Sequence, residues 1–138
     1  MIIPAMRGSD AQGKGYFGAP RGDRIHKGVD FVQALGGSEQ IKPGDPVRAF
    51  MAGTVSKLGF PYADKPAFRY VEVRRVNGDN LRYFYVSPTV AVGDAISAGE
   101  MLGTCQELPY PGITQHYHFE VTVRGEHADP IKYLSDYA

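Results

Sequence analysis

Residues 68–87 read FRYVEVRRV, then NGDN, then LRYFYVS, two runs of aromatic and β-branched residues separated by an Asn-Gly turn signal. This predicts an antiparallel hairpin, because successive strand side chains face opposite sides and Asn-Gly supplies the positive φ angles of a tight turn. In the first run Val71, Val73 and Arg75 fall on one face, with Tyr70, Glu72, Arg74 and Val76 on the other. Similar runs occur at 46–50 (PVRAF), 53–59 (GTVSKLG) and 116–123 (HYHFEVTV). Apolar spacing of the i, i+3, i+4, i+7 kind is hard to find, while 17 glycines and 10 prolines punctuate the chain. The expected fold is all-β, a mainly antiparallel sheet or sandwich with long loops and at most short helical turns.

Two stretches echo each other. GDPVRAFMAGTV (44–55) and GDAISAGEMLGT (93–104) suggest two similar turn-strand units facing each other in a sandwich or barrel. Asp45 and Asp94 follow glycines in turns, where an Asp that bonds nearby backbone is the common case. Near the end, ADPIKYLSDYA places Asp-Pro at a turn before a single helical turn. The first forty residues are turn-rich and are expected to wrap the sheet rather than join it.

At 138 residues the chain reads as a single domain, 1–138, with residues 1–12 as a lead-in and 13–134 as the core. A chain of this length buries roughly 70% of its unfolded surface. Fifteen Lys and Arg balance fifteen Asp and Glu, so no nucleic-acid partner is expected, and no run of like charge marks a membrane-binding face. No stretch approaches a membrane span, and MIIPAMRGSD has no basic n-region, so the chain is expected to be made in the cytoplasm without a secretory signal. The single cysteine, Cys105, excludes an internal disulfide and a thiolate-only metal site; core packing is its expected role.

The chemistry concentrates in two short stretches. In QHYHFEV (115–121), His116 and His118 stand two apart, so a strand projects both imidazoles from one side. In RIHKGVDF (24–31), His26 precedes Asp30 by four residues with Gly28 between. In a straight strand those side chains would stand about 13 Å apart, too far for one ion, but a glycine-hinged bend lets them converge. A hydrolytic zinc site needs three protein ligands from His, Asp or Glu and a position left for water. His26, Asp30 and one of the paired histidines meet that need, and the other histidine can take up the water's proton. Glu120 continues the alternation and is expected either to orient a ligand from outside or to pair with an arginine such as Arg74. His127, in GEHADP, is expected to be solvated.

HKGVD and HYHFEV resemble the HxxxD and HxH motifs of the lysostaphin-type (LytM-like) zinc metallopeptidases. GKGYFGAPRGDRIHKGVD (13–30) is similar to the family's lead-in, GDPVRAFMAGTVSKLG to its entry into the core sheet, VGDAISAGEMLG to its Gly-Asp turn and ADPIKYL to its ending. The resemblance runs over roughly residues 8 to 134. It implies a small antiparallel β fold with its site in a groove on the main sheet, and one zinc ion held by His26, Asp30 and His118, with His116 as the catalytic histidine. It also implies hydrolysis of peptide bonds in bacterial peptidoglycan, at the cell wall or periplasm. A monomer is expected, and the lack of a secretory signal in this sequence points to release by a lysis system, delivery in a particle such as a phage tail, or a dedicated secretion route, with a phage or prophage lytic protein the expected setting. Where the family carries a second catalytic histidine, YFYVS (83–87) has Tyr85. A phenol cannot serve as a base at neutral pH but can donate a hydrogen bond to a developing oxyanion; the other reading of Tyr85 is an aromatic packed among Tyr70, Tyr83 and Phe84.

Two further readings stand beside the hydrolase. The Tyr85 departure admits a catalytically inactive member of the same fold, acting as a peptidoglycan-binding or hydrolase-activating module. The Gly-Asp echo also resembles biotinyl and lipoyl carrier domains, but these need a lysine at a hairpin tip, and Lys57 and Lys65 have no such context. Loops 32–43, 59–68 and 106–115 are expected to line the groove and to select the bond cleaved.

Overall fold

The computed structural model describes residues 1–10, 13–21 and 24–137. Two short antiparallel pairs come first, β1 (Ser9–Asp10) with β2 (Gly13–Lys14) and β3 (Pro20–Arg21) with β4 (Arg24–Ile25). They are followed by β5 (Val29–Phe31), β6 (Pro46–Arg48), β7 (Gly53–Gly59), β8 (Tyr70–Arg74), β9 (Asn80–Phe84) and β10 (Val86–Pro88). The chain ends with β11 (Ala95–Ile96), β12 (Met101–Cys105), β13 (Tyr117–Val123), β14 (Glu126–Ala128) and α1 (Pro130–Tyr137). A seven-stranded sheet runs β11-β7-β8-β9-β13-β14, with β5 also paired to β13, and a second sheet runs β10-β12-β6. Both are antiparallel, as expected of an all-β chain with one short helix.

The hairpin over 68–87 forms as β8 and β9, in register from Tyr70↔Phe84 to Arg74↔Asn80. Its turn departs from the expected form. Gly78 takes the positive φ (92°) and Asn77 does not; Gly78 N–H donates to the Arg75 carbonyl and Arg75 N–H to that of Asp79. Asn77 contributes through its side chain, accepting from the Asp79 N–H at 3.0 Å. The second run is broken at Tyr85, where φ is 65° and the chain crosses from the large sheet to the small one.

The Gly-Asp echo has a structural counterpart. The strand after the first turn, β6, pairs with β12, and the strand after the second, β11, pairs with β7, so each unit contributes a strand to each sheet. The corners match bond for bond. Asp45 Oδ2 accepts from Lys42 N–H and Asp94 Oδ2 from Ala91 N–H. Gly44 and Asp45 exchange backbone bonds with Cys105, as Gly93 and Asp94 do with Val55.

One core serves both sheets. Val71, Val73, Leu81, Tyr83, Phe119 and Val121 of the large sheet and Val47, Val86 and Leu102 of the small one are fully buried in a single cluster. Phe119 packs against Phe50 and Tyr83 with ring centroids 4.8 and 4.9 Å apart. Burying each large apolar side chain contributes about 1.5–3 kcal/mol. Cys105 lies in this core as expected, and burial pushes its thiol up to about 11.

Two expectations need correction. The first forty residues do join the sheet: β5 pairs with β13, and Met6 bridges to Phe31 on its outer side. The C-terminal helix spans eight residues rather than one turn. Asp129 explains the extra length, since its carboxylate caps the Ile131 N–H at 3.0 Å and its carbonyl receives Tyr133 N–H, while Pro130 fits the first helical position. Tyr133 and Leu134 then anchor the helix in the core. Replacing Asp129 with Ala is expected to lower unfolding free energy by about 1 kcal/mol, read as a lower urea midpoint with an unchanged denaturant slope; no shift would deny the cap its role.

Candidate active site

Alternation along β13 sends Tyr117, Phe119 and Val121 into the core. His116, His118 and Glu120 point to the other face, where they line a groove of about 640 Å³. His116 lies just before the strand and His118 within it. Across the ladder His118 stands opposite Asp30 on one side and Phe84 on the other.

His26 reaches the same point by a bend. It follows β4, the chain turns at Lys27 and Gly28, and β5 begins at Val29. Gly28 is required by proximity: a Cβ there would come within 2.2 Å of the Phe119 carbonyl oxygen and 2.9 Å of the His118 ring. The turn therefore lies flat on β13. His26 Nε2 ends 3.2 Å from Asp30 Oδ1 and 2.9 Å from His118 Nδ1, and His118 Nδ1 is 2.9 Å from Asp30 Oδ1. All three residues are buried.

The outer nitrogens fix which atoms face inward. His26 Nδ1 bonds the Tyr16 carbonyl at 2.9 Å, His118 Nε2 bonds Glu120 Oε2 at 2.8 Å and His116 Nδ1 bonds the Thr114 carbonyl at 2.7 Å. Each partner is an acceptor, so each outer nitrogen carries the hydrogen in the neutral ring and each inner nitrogen presents a lone pair. The lone pairs of His26 and His118 and a carboxylate oxygen thus face one another across about 3 Å. Three electron-rich atoms so close need a cation between them. Tetrahedral zinc with bonds of about 2.0–2.1 Å places its ligand atoms about 3.4 Å apart. The observed triangle, at 2.9, 2.9 and 3.2 Å, is slightly tighter and fits such an ion.

Electrostatics support the same assignment of charge. Burial opposes ionisation of Asp30, but hydrogen bonds from His118 and His26 outweigh it and hold the carboxyl well below the usual range. Burial opposes charge on His118 too, yet Asp30 and Glu120 hold its imidazole up to about 9. His118 so held carries a proton at neutral pH, and a metal ion in the triangle would have to displace it. His116 behaves oppositely: burial lowers its pKa more than Asp30 raises it, keeping the ring neutral with Nε2 3.5 Å from Asp30 Oδ2.

Glu120 Oε2 lies 2.8 Å from His118 Nε2 rather than against Arg74. Its other oxygen meets His127 Nε2 at 2.8 Å, so His127 is exposed but not merely solvated. Tyr85 sets its ring edge against His116, with centroids 5.8 Å apart. Its neighbours are Tyr62, Phe68 and Phe84 rather than Tyr70 and Tyr83, and its hydroxyl shares a hydrogen bond with that of Tyr62 at 2.7 Å. Burial, and then Tyr62, drives its phenol far above the ordinary range, so it stays protonated.

The groove walls are Pro61, Tyr62 and Lys65 from loop 59–68, Tyr110 and Ile113 from loop 106–115, and Ile25 and Lys27 beside His26. Loop 32–43 is absent from this lining, contrary to expectation; its residues frame a separate hollow with Asp45 and Pro46. Arg7, which the sequence reading missed, lies in the groove floor and donates to Asp30 Oδ2 at 3.0 Å. Its only sequence signal is an Arg-Asp pair three apart in a turn-rich lead-in, which many solvated turns share.

The profile of Peptidase family M23 matches residues 24–130, a span that contains both histidine stretches. The chain belongs to this family. The lysostaphin-type resemblance is thereby shown, and solved family structures share the fold. The catalytic domain of lysostaphin from Staphylococcus simulans has a TM-score of 0.68 at 25% identity, covering 89% of this chain and 90% of that one. A mutant catalytic domain of the prophage-encoded M23 protein EnpA from Enterococcus faecalis shares the fold at a TM-score of 0.66, with 19% identity over 95% of this chain and 96% of that one. Leukocyte cell-derived chemotaxin-2 of Bos taurus is 31% identical over 131 residues, which is 94% of this chain and 79% of the relative. The chain is thus similar both to a peptidase domain and to a protein named for chemotaxis. Among the described residues, no helix is long and apolar enough to cross a membrane.

Replacing Gly28 with Ala is expected to force the His26 turn off β13 and to cost about 1–3 kcal/mol, as overpacking does. Gly8, with open space around its Cβ position, is the control, and G8A should leave the thermal midpoint unchanged. Equal midpoints for both variants would contradict the close approach.

Proposed function

We propose that this M23 chain is a zinc-dependent endopeptidase that hydrolyses peptide cross-links of bacterial peptidoglycan, acting at the cell wall or periplasm. The observation that carries the reading is the triangle of His26 Nε2, Asp30 Oδ1 and His118 Nδ1 beside a buried, neutral His116 at the floor of an open groove. In this reading His26, Asp30 and His118 hold the ion. A zinc ion held there would supply Lewis acidity, able to polarise a carbonyl and lower the pKa of a water.

The remaining work falls to the chain's own residues. Glu120 keeps the His118 ring in the tautomer that directs Nδ1 inward. The Thr114 carbonyl does the same for His116, leaving Nε2 as a lone pair able to accept a proton and return it to the leaving amine. Tyr85, protonated and beside His116, is placed to donate to the oxygen that gains charge in the transition state. To do so its hydroxyl must donate away from Tyr62. Tyr62, Lys65 and Tyr110 form a wall along which an extended peptide can lie.

A second reading has its own support. Tyr85 stands where a further histidine is expected, its hydroxyl is engaged by Tyr62, and one relative is named as a chemotaxin. On that reading the chain keeps zinc as a structural ion and binds peptidoglycan without cutting it.

Metal analysis of the purified chain is expected to find about one zinc per molecule, and a strong chelator to abolish release of soluble fragments from purified walls. A zinc-loaded, folded protein inert on every wall chemistry would favour the binding module. Substituting His116 with Ala should eliminate turnover while leaving zinc stoichiometry intact; concurrent loss of zinc would reassign His116 to the metal. The Tyr85→Phe change is expected to reduce kcat by about 10²–10³-fold if the phenol stabilises the oxyanion, and unchanged turnover would return Tyr85 to packing.

A further inference from the structure

The N-terminal lead-in, before the residues matched by the family profile, reaches the centre of the site. Its backbone pairs along the outer side of β5: Arg7 N–H donates to the Asp30 carbonyl at 2.7 Å and Val32 N–H to that of Ala5 at 2.9 Å. The Arg7 side chain then turns inward, 5% exposed, with Nε 3.0 Å from Asp30 Oδ2. Its Nη1 meets both oxygens of Asp10 at 3.0 Å. Gly15 closes over it, since a Cβ there would come within 2.6 Å of the Arg7 Cβ.

Asp10 carries the connection onward. Its Oδ2 accepts the Thr114 N–H at 2.8 Å, and the Thr114 carbonyl is the acceptor that fixes His116 Nδ1. His116 Nε2 stands 3.5 Å from the Asp30 oxygen held by Arg7. Asp30, Arg7, Asp10, Thr114 and His116 thus form a closed ring of contacts.

We propose that Arg7 is a positioning residue that holds Asp30 in one-oxygen ligation, reserving Oδ2 so that only Oδ1 faces the metal, and that Asp10 shares its grip with the loop that aims His116. The proposal rests on the metal-site reading given under Proposed function. A planar guanidinium can span two carboxylates in fixed geometry, whereas an ammonium acts as a point charge. Without the Arg7 fork on Oδ2, Asp30 can turn toward two-oxygen ligation and occupy the position needed by water.

Cobalt(II) in place of zinc reads this directly, because four-coordinate cobalt absorbs visible light far more strongly than five- or six-coordinate cobalt. The parent protein is expected to bind cobalt with the strong four-coordinate bands. R7Q should bind with weakened bands and with affinity lower by about 10–100-fold, the usual cost of losing a ligand's outer partner. R7K, which keeps the charge without the fork, should resemble R7Q, and D10N, which leaves the Arg7 contact to Asp30 in place, should fall between R7Q and the parent. Thermal melts in chelator report folding of the metal-free chains; if R7Q does not fold, R7K and D10N decide the matter.

Unchanged bands and affinity in all folded variants would overturn the role of Arg7 alone. Full restoration by R7K would reduce Arg7 to a charge and also overturn the bridging. Failure of the parent protein to bind cobalt or zinc would overturn the metal-site reading, and this proposal with it.

Discussion

The site depends on the register between β5 and β13. Asp30 stands opposite His118 in that ladder, with Val29 opposite Phe119 and Phe31 opposite Tyr117. A slip of one residue would turn the carboxylate to the opposite face and bring Phe31 or Val29 into the groove. The core enforces the register, because Val29, Phe31, Tyr117 and Phe119 are all fully buried on the far side of the same strands. Polar chemistry on one face is thereby placed by apolar packing on the other. The row continues across the sheet through Phe84 and Tyr70 to Gly59, so His118 has a carboxylate on one side and an aromatic edge on the other.

Much of this was legible because it is local. The two-residue period of HYHFEV put His116, His118 and Glu120 on one face, and the hydrophobic alternation of 68–76 and 81–87 produced the central hairpin. The Gly-Asp echo pointed to paired units facing each other, but not to the exchange by which each unit gives a strand to each sheet. What escaped is long-range or depends on a bend. The participation of β5 in the sheet rests on Gly28 lying against β13, which a lone glycine does not announce. Arg7 and Asp10 reach residues 23 and 104 positions away, and no periodicity encodes such contacts. The helix was underestimated because Asp129 was read as a turn residue when it also caps.

Tyr85 shows how the switch between sheets bears on the chemistry. The chain leaves β9 for β10 at this residue, with Tyr85 and Val86 N–H groups both directed at the Arg69 carbonyl and the Tyr85 carbonyl taken by Gln106. A left-handed backbone at a bulky non-glycine residue costs on the order of 1–3 kcal/mol and persists only where the surroundings impose it. Here the surroundings are two sheets drawing the chain apart and an aromatic cluster of Tyr62, Phe68 and Phe84 around the ring. The strain fixes the phenol beside His116. A glycine at this position would relax the backbone and leave the groove without that wall.

Two histidines of one chemical kind acquire different characters from what surrounds them. His118 faces the Asp30 carboxylate and is backed by that of Glu120, and the two hold its imidazole up against burial, which suits it to a cationic setting. His116 is backed by a neutral carbonyl and buried beside the Asp30 oxygen already claimed by Arg7, so its basicity stays low. A ring that remains neutral can accept a proton and then surrender it, as a proton carrier in hydrolysis must in each cycle. The Asp30 carboxylate sets this division, because one oxygen serves the His26–His118 pair and the other faces His116 and Arg7. The proposed ligand and the proposed base are thus coupled through a single side chain, and whatever holds Asp30 in orientation bears on both.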